Sequence, residues 1–101
     1  MADFRETADL LLRSFLEKIT LALQVAKIEI VTDQRLHQDS NNSFSCSVVL
    51  KRGAKELPAE KIHVSFAHYP MVKFFGRTWT EFEGERGIAP FLTVIQDSFA
   101  K

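Results

Sequence analysis

The side chains most able to do chemistry gather between His63 and Glu81. His63, His68, Tyr69 and Arg77 are the ones a small-ligand pocket between helix and sheet would recruit. An imidazole exchanges a proton near neutral pH, and a guanidinium holds carboxylate or phosphate. The two histidines are an odd number of residues apart, so a regular strand sends them to opposite faces. They cannot then share a metal, and no metal site is expected. His37 lies with Asp33 and Asp39 in a polar stretch that reads as a loop, a poor platform for catalytic alignment. Glu81, Glu83 and Glu85 alternate, and paired carboxylates do acid–base work where burial separates their pKa values. Gly84 and Gly87 mark a turn there, so a solvated acidic strand end is the expected reading.

The stretch Lys73 to Phe82 reads Lys-Phe-Phe-Gly-Arg-Thr-Trp-Thr-Glu-Phe. If it is one continuous strand, Arg77, Trp79 and Glu81 share a face, and Phe74, Thr78, Thr80 and Phe82 share the other. Two charges flanking Trp79 place that face in water. Tryptophan and arginine are enriched at the centres of protein interfaces, so Arg77, Trp79 and Glu81 are the partner-contact candidates. With Lys73 the same residues would make a stacking platform for bases. The competing reading turns Trp79 inward while its charged neighbours reach out to water. Lys51, Arg52, Lys55 and Lys61 form the one basic cluster. Glu56 and Glu60 dilute it, and a solvated hairpin tip is the expected outcome.

The chain contains no G-x-S-x-G, P-loop, G-x-G-x-x-G, H-E-x-x-H or C-x-x-C sequence, which excludes the commonest motif-bearing enzymes. Catalytic residues are unknown, no cofactor is implied, and the balance leans away from an enzyme. Cys46 is the only cysteine, so no internal disulfide forms. It sits on an apolar strand face, where it behaves as a small buried hydrophobe.

The elements that must position these residues follow from periodicity. Phe4, Ala8, Leu11, Leu12, Phe15, Ile19, Ala22, Leu23 and Ala26 step by threes and fours, which predicts a helix over residues 4–26. Leu10, Leu21 and Val25 fall off that stripe and leave surplus apolar surface. Ile28, Ile30 and Thr32 then alternate as a strand, and residues 33–43 read as a polar loop. Phe44, Cys46, Val48 and Leu50 form a second alternating strand, and Ile62, Val64 and Phe66 a third. Gly53 and Pro58 punctuate the turn between them. Pro90 suits the first turn of a closing helix with Phe91, Val94, Ile95 and Phe99 on one face.

The fold expected is α+β: an N-terminal helix, an antiparallel meander of three to four strands, and a C-terminal helix packed on one sheet face. All 101 residues fit a single domain. That leaves the second sheet face bare, and some of the nine phenylalanines are candidates to line it as an interaction patch. Thirteen basic and thirteen acidic residues cancel, so a nucleic-acid partner ranks third. No uncharged run is long enough to span a bilayer. The chain reads as cytoplasmic, with no membrane partner. The function expected is a small protein-interaction module, an adaptor, regulator or inhibitor, working as a homodimer through apolar or aromatic surface. The alternative is a small-molecule binder or compact enzyme.

Overall fold

The long apolar stripe folds as α1, Phe4–Val25, in a computed structural model that describes residues 4–32 and 35–101. Ala8, Leu11, Leu12, Phe15, Ile19 and Leu23 are its buried positions, one face of a helix with 3.6 residues per turn. No glycine ends it. Lys27 adopts the left-handed conformation, φ 62°. The Ile28 amide then donates to Leu23 O at 2.9 Å and the Lys27 amide to Gln24 O at 3.0 Å. This is a Schellman closure with lysine in the glycine place, and Ile28 supplies the apolar contact that accompanies it.

Among the described residues seven strands make one antiparallel sheet: β1 Glu29–Thr32, β2 His37–Ser40, β3 Ser43–Arg52, β4 Lys55–Glu56, β5 Glu60–Ser65, β6 Met71–Phe74 and β7 Arg77–Trp79. The expected three to four strands are therefore too few, and the register shows why. Val48 pairs with both Thr32 and Glu60, and Ser45 with both His37 and His63. So β1 and β2 run along one edge of β3, and β4 and β5 along the other. The spatial path is β1/β2, β3, β4/β5, β6, β7, a meander whose first and third rows are each interrupted. His37–Ser40 is strand rather than loop. Asp33 and Gln34, part of the expected loop, lie outside the described residues.

The largest departure is at Phe75–Gly76. Both residues have positive φ, 52° and 72°, and Phe74 pairs directly with Arg77. Two consecutive positive φ values are the mark of a type I′ hairpin turn. The stretch expected as one strand is thus folded back on itself. Phe74 and Trp79 come to the same face.

Beyond β7 a 3₁₀ turn, Gly84–Gly87, leads into α2, Ala89–Ala100, with Pro90 in its first turn. Phe91, Ile95 and Phe99 are its buried residues. Phe15 meets Phe91 at 5.2 Å and Phe74 at 6.2 Å between ring centroids, so both helices close over the same sheet face. Alternate residues Phe44, Cys46, Val48 and Leu50 of β3 and Ile62 and Val64 of β5 supply the floor of that core. The Lys55 ammonium donates to Phe99 O and Lys101 O, at 2.6 and 2.8 Å, and so caps the C-terminal end of α2.

Candidate functional site

Trp79 is 0 % exposed. The accessible indole expected from strand alternation is corrected to a core residue. Arg77 and Trp79 do share a phase, but that phase is the helix-covered one, because the turn at Phe75–Gly76 restarts the alternation. Arg77 reaches water only because it stands at the hairpin tip. The Trp79 ring lies 5.4 Å from Phe15 and beneath Lys18, whose Nζ is 5.8 Å from the ring centroid. Its Nε1–H donates to Gly84 O at 2.8 Å, so the buried polar atom is satisfied. Glu81 is exposed in the following turn. There the Glu83 carboxylate accepts from the Thr80 amide at 3.0 Å, and holds the turn together.

The basic cluster of Lys51, Arg52 and Lys55 is also accounted for structurally. Lys55 caps α2, Arg52 stacks over Phe99 at 5.0 Å and Lys51 pairs with Glu56 at 3.6 Å. Lys61 does not belong with them, since it pairs with Ser47 further along the sheet.

Phenylalanine reaches the second face of the sheet only at its border, with Phe75 of the turn between β6 and β7. Phe15, Phe44, Phe74, Phe91 and Phe99 are buried on the helix side, and Phe82 projects into water from the turn after β7, 99 % exposed. In the open face's place stands a polar surface built by the odd-numbered residues of β3 and β5. The pairing aligns His37, Ser45, His63, Lys73 and Thr78 in one row across five strands. Ser47 and Lys61 form the next row. Directly opposed residues on one face stand ~4.5–5.5 Å apart at Cβ, and diagonal ones ~7–8 Å. His63 and Lys73 are therefore adjacent, with Lys61 diagonal to Lys73.

Two shallow hollows lie on this face. One, of about 210 Å³, is lined by Arg35, His37, Ser45, Cys46, Ser47 and Lys61. The other, of about 440 Å³, takes in Glu60, Lys61, His63, Lys73 and Phe75 among its lining. Of the pocket candidates only His63 lines either hollow. It faces away from the helices, so a helix–sheet pocket cannot use it, and that space is filled by Phe15, Phe74 and Phe91. His68 and Tyr69 are exposed in the connection after β5. Among the described residues no three His, Cys, Asp or Glu side chains group to hold a metal ion. No described helix is long and apolar enough to cross a membrane. Cys46 is buried and in no disulfide, and its Sγ accepts from the Thr32 hydroxyl at 3.7 Å.

A further surface lies on the outside of α1. Leu10, Leu21 and Val25 are 57, 65 and 87 % exposed. Leu10 and Leu21 are three helical turns apart and differ by only ~20° around the axis, with Val25 one turn beyond. Beside this stripe runs an open groove of about 540 Å³, lined by Asp9, Leu12, Arg13, Leu16, Glu17, Thr20 and Leu21. The off-stripe apolar positions marked it in the sequence. The open-face row carried no such signal, because it joins residues from five strands. Comparison with protein families, with curated proteins and with solved structures gives no match to this chain.

Proposed function

We propose that this protein is a small protein-interaction module that works as a homodimer, with the outer face of α1 as the contact between copies. The observation that carries the reading is the exposed stripe of Leu10, Leu21 and Val25 beside the apolar groove. Three large aliphatic side chains left in water on one helix face cost free energy that a contact would recover, at ~25 cal/mol per Å² of apolar surface covered.

The charge order along the groove favours a second copy as the occupant. In an antiparallel pairing about a two-fold axis, residues equidistant from the axis meet. The midpoint of Leu10 and Leu21 falls between residues 15 and 16, and that of Arg13 and Glu17 falls on residue 15. One axis therefore sets Leu10 against the partner's Leu21 and Arg13 beside the partner's Glu17. The surface is self-complementary in both apolar contact and charge. The interaction role first assigned to Arg77, Trp79 and Glu81 moves to α1, because the aromatic anchor of that trio is in the core.

Light scattering at rising concentration tests this. The expected mass is twice 11.5 kDa, and Leu10→Glu with Leu21→Glu should return it to the monomer value while far-UV circular dichroism is unchanged. A wild-type mass that stays at 11.5 kDa into the high micromolar range would overturn the proposal.

A further inference from the structure

Away from α1, on the sheet face opposite both helices, we infer that Ser45, Ser47, Lys61, His63 and Lys73 bind the phosphate group of a small phosphorylated ligand. These five side chains come from three strands, and the register alone brings them together. Ser45 is opposite His63, His63 is opposite Lys73, and Ser47 is opposite Lys61. Each can donate a hydrogen bond, and two carry a fixed positive charge. Lys61 lines both hollows and joins them.

Ser45 is the most buried of the five. It is 2 % exposed and is the one buried polar side chain among the described residues. It lines the smaller hollow. An oxyanion seated between Ser45 and Lys61 would accept a hydrogen bond from the Ser45 hydroxyl.

Charge favours an anion. The one carboxylate lining either hollow is Glu60, and its pairing with Val48 puts it in the helix-side phase rather than among the donors. Charge-assisted hydrogen bonds from lysine to phosphate are about twice as strong as neutral ones. The ligand is small rather than polymeric for two reasons. The chain as a whole has no net charge, so the long-range attraction that governs polyanion binding is missing. Single-strand binding also relies on aromatic rings for base stacking. The row His37, Ser45, His63, Lys73 and Thr78 contains no phenylalanine, tyrosine or tryptophan, and Phe75 stands only at the rim of the larger hollow.

The test is titration of the full chain with inorganic phosphate and with pyrophosphate, followed by amide chemical shifts, with sodium chloride at matched ionic strength as control. Saturable shifts centred on residues 45, 47, 61, 63 and 73 are expected from both phosphates and not from chloride. Lys61→Gln and Lys73→Gln should each weaken binding by about tenfold, the effect of losing one charge-assisted hydrogen bond. Lys51→Gln, on the same face but paired with Glu56, should leave it within about twofold, as a screened surface charge does. Unchanged amide spectra confirm that each variant is folded. Equal shifts with chloride, failure to saturate, or indifference to both lysine variants would overturn the site. A single-stranded oligonucleotide that binds the same residues far more tightly than pyrophosphate would overturn the small-ligand assignment.

Discussion

Gly87→Ala should destabilise the fold although it replaces the most flexible residue type with a good helix former. Gly87 has no positive φ, so the backbone conformation itself suits alanine, and on that ground alone the change would stabilise by ~0.4–1 kcal/mol. The space does not exist. An added Cβ would lie 2.7 Å from Trp79 Cδ1, 2.9 Å from Glu83 Cβ and 3.2 Å from Trp79 Nε1. Trp79 cannot retreat, since Phe15 lies 5.4 Å away and its Nε1 is tied to Gly84 O. Overpacking of this kind costs ~1–3 kcal/mol, and loosening the indole hydrogen bond adds ~0.5–1.5 kcal/mol. The net loss is about 1–3 kcal/mol after subtracting the chain-entropy gain. In a domain of this size ~1 kcal/mol moves Tm by ~4–8 °C, so Tm should fall by ~5–20 °C. Thermal unfolding followed by circular dichroism measures the shift. Trp79 is the only tryptophan, so its emission reports on the same contact. Wild-type emission should be that of a dry indole shielded from quencher, with greater quenching in the variant. A variant with equal or higher Tm would refute the reasoning, because the entropy gain would then have outweighed a clash that does not occur.

Phe15→Ala should cost ~3–5 kcal/mol in denaturant unfolding, because its ring meets Phe74, Trp79 and Phe91 together. A loss below ~1 kcal/mol would mean that this face of α1 is not the core face. Lys27→Gly should raise stability by up to ~1 kcal/mol, since lysine holds the left-handed closure of α1, φ 62°, where glycine has no side-chain penalty. The same unfolding curves measure it, and a lower midpoint would show that the Lys27 side chain contributes more than its backbone strain costs.

Local periodicity determined much of this molecule without help. The threes-and-fours stripe marked α1 to within a residue of its observed end. Alternation marked the buried sides of β3 and β5, and placed Cys46 in the core. Pro90 marked the start of α2. These features are legible because a residue's neighbours along the chain decide which face it takes. Leu10, Leu21 and Val25 were legible for the same reason, as apolar residues that one helix face could not absorb.

Pairing between distant segments decided the rest. His37–Ser40 has no apolar alternation and all four residues are exposed. It is a strand because the edge of β3 supplies hydrogen-bond partners, a cause invisible in its own sequence. Phe75–Gly76 lacks the Asn-Gly or Asp-Gly signal of a type I′ turn, and its phenylalanine is held at φ 52° by the pairing of β6 with β7. That turn reversed the phase of everything after it and carried Trp79 from expected solvent into the core. The row of His37, Ser45, His63, Lys73 and Thr78 has the same origin. Its members are spread along the chain and meet only through strand register. Period two tells which face each residue takes within its strand, but not which residues of other strands will stand beside it.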